Sequence, residues 1–320
     1  MNEPRTLYPP IEPYRTGTLK VSEIHSMFYQ EVGNPEGKPA LFLHGGPGVG
    51  ILSDYRRFFD PEFYRVILPD QRGSGKSTPF AELKENTTWE IVEDLEMLRK
   101  HLRIDRWIVM GGSWGSTLGV SYAITYPRAI AGLILRGIFL ARPMEEDWLF
   151  EAGGGASQIF PDEWEKFVAP IPEKERTNMI SAYYNILTGE NEEEKLRAAL
   201  AWTRWEVSTM TLVPDQKVID SLMEPKSATA ISRIECHYTL NHFFMKSKNY
   251  LLEQIHKAQG IPCRIVQGRH DVLCPPVSAW DLHKAMPDSD LRIVPDGAHS
   301  PMGPGMIHEL VQASEDFKGL

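Results

Sequence analysis

Cysteine is scarce in this chain: Cys236, Cys263 and Cys274 are the three among 320 residues, an odd count with no Cys-x-x-Cys spacing. Neither a disulfide framework nor a zinc site follows from that pattern. Long apolar runs are missing as well. No stretch reaches the roughly 18 apolar residues of a membrane-spanning helix, and the opening MNEPRTLYPP has no hydrophobic signal core, so a cytoplasmic protein is expected. Positive charge is in deficit. The formal net charge of -9 disfavours nucleic acid or an anionic membrane as a partner. A metalloprotease His-Glu-x-x-His is also lacking, since His308-Glu309 is followed by Gln312 where the second histidine would stand. No metal or cofactor is therefore expected.

Internal repeats and low-complexity tracts are absent too. Gly75-Lys76-Ser77 invites a phosphate-loop reading, but that motif needs glycine at position 70, which is Asp70. The loop reads instead as a tight turn, with Asp70 and Arg72 holding its geometry. What remains is ordinary globular material, 42% hydrophobic and 24% charged. The length allows one large α/β domain or two smaller units.

The hydrophobic pattern divides the chain into three stretches. Residues 17 to 33 alternate around Leu19, Val21, Ile24, Met27 and Tyr29, which predicts an antiparallel hairpin at a sheet edge. Short apolar strands are predicted at 40–43, 64–68, 107–110 and 131–135, with helices between them. Thr87 and Glu90 form a capping box at one helix start. Strands alternating with helices imply parallel crossovers and a mostly parallel, doubly wound α/β sheet. From about 141 to 260 no clear buried strand occurs. Helical stretches are predicted there at 145–151, 161–168, 173–187, 192–207 and 227–244, as an inserted helical unit. Alternation resumes with strands at 263–267 and 291–294, helices at 277–286 and from Gly305. The predicted division is thus a core of 1–140 and 261–320, with a helical cap of 141–260.

The chemistry centres on Trp107 to Gly119, WIVMGGSWGSTLG. An apolar strand stops at Gly111-Gly112-Ser113-Trp114-Gly115, and a helix-compatible segment follows. This is the Gly-x-Ser-x-Gly nucleophile elbow, in which a sharp strand-to-helix turn exposes the serine hydroxyl. The pentapeptide alone would arise by chance in roughly one chain of this length in ten. Its position between strand and helix is what gives it weight.

A serine hydroxyl is a poor nucleophile at neutral pH and needs a base, which in turn needs an orienting carboxylate. On this fold the acid and then the histidine follow the serine in chain order. Asp271 lies just past the 263–267 strand and His299 just past the 291–294 strand, at the carboxyl edge where catalytic groups belong. His270 adjoins Asp271 and would point elsewhere, and His44 precedes the elbow. A tetrahedral oxyanion needs preorganised donors. The N–H of Trp114 is one candidate, and the glycine run after the first buried strand, His44 to Gly48, offers the second.

Taken together, HGGPG at 44–48, DQRGSGKS at 70–77, GGSWGSTL at 111–118, LRGIF at 135–139 and HDVLCP at 270–275 resemble the proline iminopeptidases nearly end to end. These are α/β-hydrolases with a helical cap that remove an N-terminal proline from peptides. The resemblance implies a serine exopeptidase with Ser113, Asp271 and His299 as triad, and with Gly46 and Trp114 N–H groups as oxyanion hole. It implies small peptides with an N-terminal proline as partners. Two cap glutamates, matched here by Glu206 and Glu235, would hold the free imino cation. An internal or blocked proline would leave them unpaired, at a cost on the order of 3–5 kcal/mol.

The ring pocket should be apolar, because proline's side chain offers CH₂ groups alone. Phe139 and Cys274 match the family pattern there, and Phe150 is a further candidate for the pocket. Two positions depart from the family pattern. The usual Trp-Phe-Tyr-Gln reads Trp148-Leu149-Phe150-Glu151, with an extra glycine-rich piece at 153–155. An aromatic is replaced by Thr239, which would widen the pocket or admit a polar ring substituent. An esterase, amidase or lactonase on the same scaffold, or a catalytically silent ligand-binding relative, are the alternative readings.

Overall fold

Alternating side chains along each strand cover both faces of one sheet. The structure, a computed structural model, describes residues 4–213 and 216–320; Met1 to Glu3 of the polar N-terminal stretch lie outside the described residues. The strands are β1 (Arg15–Lys20), β2 (Ser26–Gly33), β3 (Lys38–Leu43), β4 (Tyr64–Pro69), β5 (Trp107–Ser113), β6 (Ile130–Ile138), β7 (Cys263–Gly268) and β8 (Asp290–Val294). They form one sheet in the order β1-β2-β4-β3-β5-β6-β7-β8. The β1–β2 and β2–β4 pairs are antiparallel, and β3 to β8 run parallel. Leu41, Leu43, Val109, Leu133 and Ile265 enter one hydrophobic cluster, while Ala40, Phe42, Ile108, Ile134 and Val266 enter the other. A sheet buried on both faces is what the near-continuous apolar strands require.

Helices α1 (Thr88–His101), α2 (Trp114–Thr125) and α11 (Pro276–Ala285) supply one cover and α12 (Pro304–Asp316) the other. Thr87 caps α1 by accepting the Glu90 N–H, while the return bond from the Glu90 side chain that a full capping box needs is not formed among the described residues. In the Asp70 loop, the carboxylate accepts the N–H of Ile51 at 2.7 Å and of Lys76 at 2.8 Å. Arg72 makes a two-pronged pair with Asp94 at 2.6 and 2.8 Å, both side chains buried. The glycine-rich loop is therefore a polar clamp, not a phosphate cradle.

Between β6 and β7 the described residues form helices and turns without a strand. They are α3 (Pro143–Phe150), α4 (Gly155–Ile159), α5 (Pro161–Val168), α6 (Met179–Thr188), α7 (Glu192–Thr209), α8 (Gln216–Leu222), α9 (Pro225–Leu240) and α10 (Tyr250–Gln254). Most share a separate aromatic-rich cluster around Phe167, Tyr183, Trp202 and Trp205. Leu251, Ile255 and Ala258, at the end of this stretch, lie instead in the cluster beneath the sheet.

Two predicted helices start or stop elsewhere. The 173–187 segment opens as a tighter turn, Glu173–Asn178, and becomes α-helical at Met179, where Asn178 accepts the Ser181 N–H. The 227–244 segment ends at Leu240. His242, Phe243 and Phe244 then adopt left-handed backbone, with φ of 47°, 51° and 57°. That strained turn is stabilised by Phe243, which is buried against Trp114, Phe139 and Tyr238.

Candidate active site

The parallel strands bring their carboxyl ends to one edge, and β3 pairs with both β4 and β5 there. Such a switch in strand order opens a crevice at that edge. Ser113 ends β5, and the loops after β3, β6, β7 and β8 carry His44 to Gly48, Phe139, Asp271 and His299 in turn. Ser113 sits at φ 58° and ψ −128°, a backbone state that L side chains rarely occupy. Close packing explains the flanking glycines. A Cβ on Gly111 would lie 2.2 Å from the Gly115 carbonyl oxygen, and one on Gly115 would lie 2.4 Å from that of Leu43.

A cavity of about 160 Å³ opens here, lined by Ser113, His299, Gly46, Phe139, Phe150, Cys274, Glu206 and Glu235 among others. His299 and Asp271 are both buried, and Nδ1 lies 2.9 and 3.0 Å from the two carboxylate oxygens. Asp271 is itself held, accepting the Cys274 N–H at 2.8 Å and the Gln267 side-chain N–H at 3.2 Å. On the other side of the ring, Nε2 lies 3.3 Å from Arg136 Nη1, which also donates to the His299 carbonyl at 2.8 Å. A proton on Nδ1 and a lone pair on Nε2 satisfy both contacts, and that tautomer can accept a proton.

Ser113 Oγ lies 4.0 Å from the Cys274 sulfur, and no Ser113–His299 hydrogen bond is formed among the described residues. Burial, reinforced by Asp271 and Glu145, pushes the Cys274 thiol well up, so it stays protonated. The two other histidines that lie close after a strand are placed differently. His44 is buried with Nε2 accepting the Gln71 N–H at 3.0 Å, and His270 is exposed.

Four glutamates line the cavity, and their partners separate them. Glu145 accepts the backbone N–H groups of Leu140 and Arg142 and faces the Arg142 guanidinium at 3.5 Å. Glu146 pairs with His242 at 2.9 Å. Glu206, on α7, and Glu235, on α9, face each other within hydrogen-bonding reach, with no cation paired to either among the described residues. Burial pushes Glu206 up to about 7. Glu235 is raised well above the usual carboxylate range by burial and then by Glu206, although Trp202 Nε1 donates to it at 3.0 Å.

Phe150 lines the cavity and stacks on Trp202, with ring centroids 4.7 Å apart; Phe139 meets Phe243 edge-on at 4.7 Å. Thr239 departs from its expected place. Its hydroxyl donates to the Glu235 carbonyl at 2.9 Å and the residue is buried away from the cavity wall, so it presents no polar group to a ligand. Arg136, Gln267 and Trp202 were not among the predicted site residues, because their roles depend on neighbours distant in sequence. In the sequence, LRGIF holds Arg136 in a motif that does not reveal its contact with His299.

These features define the class: a family model described as alpha/beta hydrolase fold matches residues 38–304. A probable proline iminopeptidase from Leptolyngbya boryana is 52% identical, covering 98% of this chain and 97% of that protein. The proline iminopeptidase of Arabidopsis thaliana is 51% identical, covering 99% and 83%. The solved proline iminopeptidase of Mycobacterium smegmatis superposes with a TM-score of 0.61 at 19% identity, covering 95% and 99%, which shows a shared fold. The chain belongs to the proline iminopeptidases, and it is a hydrolytic enzyme.

Proposed function

We propose that this enzyme releases proline from the free N-terminus of peptides through a Ser113–His299–Asp271 triad and a prolyl-enzyme. The observation that carries the reading is the acidic pair, Glu206 and Glu235, in the cavity that holds Ser113, with no cation paired to either among the described residues. Buried carboxylates without a partner are costly, and a ligand cation removes that cost. The prolyl imino group is such a cation, and the exposed end of the substrate is where it occurs.

With the imino group on the pair, the proline ring faces Phe139, Phe150 and Cys274, and the carbonyl meets Ser113. The serine turns from Cys274 toward Nε2 of His299, which takes its proton as Oγ attacks the carbonyl carbon. Catalytic hydrogen bonds commonly tighten only when substrate is bound. Asp271 holds the ring and stabilises the imidazolium that forms. The N–H groups of Trp114 and Gly46 meet the oxyanion. The position of the glycine loop supports this, since a Cβ on Gly45 would lie 3.5 Å from that of Ser113. His299 then gives its proton to the leaving amine, and water hydrolyses the prolyl ester. Residues 141–260 act as the helical cap, placing both glutamates above the serine.

The experiment uses two substrates. Glu206→Gln and Glu235→Gln should each lower kcat/KM for proline β-naphthylamide by on the order of 10²-fold or more while sparing p-nitrophenyl acetate. Parallel loss on both substrates would favour a general esterase whose glutamates are structural.

A further inference from the structure

The glutamate pair divides the wall formed by α7 and α9. Trp202, one turn before Glu206, stacks on Phe150 and belongs to the ring side. Met210, one turn after Glu206, and Ile231, one turn before Glu235, lie at the opposite side. There they join an apolar cluster with Val49, Val207 and Leu222 that lines the same cavity. This wall is tied to the base, because the Ser300 N–H donates to the Met210 carbonyl at 2.9 Å. The next residue but one, Met302, lines the cavity too.

The direction of the reaction assigns this space. His299 must protonate the leaving amine, so the chain after the scissile bond departs past His299, away from the ring pocket. We infer that the Val49–Met210–Leu222–Ile231 wall is a binding site for the side chain of the second substrate residue, and that it selects aliphatic and aromatic side chains. The inference rests on the proline-releasing reading. Burial of apolar surface supplies the attraction. The guanidinium that lines the cavity, that of Arg136, contacts His299 on the catalytic side, and the wall itself carries no cation among the described residues. A dipeptide's terminal carboxylate or an acidic second residue gains no partner there.

The test is a kcat/KM panel of Pro-Leu-NH₂, Pro-Phe-NH₂, Pro-Ser-NH₂ and Pro-Asp-NH₂, with prolinamide, whose leaving group is ammonia, as reference. The leucine and phenylalanine substrates should exceed the serine one by about 10-fold and the aspartate one by more. Met210→Lys should raise the Pro-Asp-NH₂ to Pro-Leu-NH₂ ratio by about 10-fold, a gain that misfolding does not mimic. Equal rates across the four dipeptide amides, or a preference for serine or aspartate, would overturn the inference. Failure to cleave prolinamide or any of the panel would instead overturn the proline-releasing reading.

Discussion

At the scale of single residues, the cavity holds two buried acids, Glu206 and Glu235, with no counter-cation among the described residues. Glu206 is raised from 4.5 to about 7 by burial. Between those values the folded protein binds more protons than the unfolded chain, so stability falls as pH rises through that window. The carboxylate form therefore opposes folding above pH 7, and Glu206→Gln should stabilise the free enzyme at pH 8, by on the order of 3 kcal/mol. Thermal melts at pH 5 and pH 8 check this; a variant that melts lower at pH 8 would count against it. Activity should run the other way. As the proposed anchor, the pair needs ionised acid, so kcat/KM for a proline substrate should fall as pH drops below about 7. Asp271→Asn should leave the fold intact and lower kcat by about 10⁴-fold, because the amide no longer enforces a proton on Nδ1. Single-turnover kinetics would show it. The placement of Ser113, Asp271 and His299 at one edge of the sheet was legible in the sequence because each stands at the end of an apolar strand or just past one. Arg136, Gln267 and Trp202 were not, since each acts through a contact that only the folded chain creates.

At the scale of elements, the elbow is held by backbone contact. Gly115→Ala would drive a Cβ to 2.4 Å from the Leu43 carbonyl oxygen, a partner that cannot swing aside. Such overpacking should lower stability by about 2 kcal/mol or more, read from urea unfolding. Separation of α2 from β3 to relieve it would move Ser113. The Arg72–Asp94 clamp joins the β4 loop to α1, and both groups are buried. Arg72→Met strands the Asp94 carboxylate and should cost about 3–5 kcal/mol by the same measurement. The long periodic helix α1 was readable from its spacing and cap, and α7 from its helix-compatible composition. The left-handed turn at His242 to Phe244 was not, for its backbone is stabilised by Phe243 packing on Trp114, far away in the chain. Short helices such as α4 and α10 offer too few turns for a period to emerge.

At the scale of the whole molecule, the proposed mechanism draws nucleophile, base and orienting acid from a parallel sheet, and the charge that recognises a chain end from the helices between β6 and β7. The sheet was readable in advance because its strands are apolar on both faces. The docking of the insertion was not, since its helices bury aromatic rings against each other and carry no signal of which surface faces the serine. The central claim is that the acidic pair measures a free imino group. The most direct measurement compares kcat/KM for proline β-naphthylamide with that of its N-acetyl form, which keeps ring, carbonyl and leaving group. Loss of about 3–5 kcal/mol, or ~10²–10³-fold and beyond, is expected for the acetylated compound. Equal cleavage of the two would contradict the account.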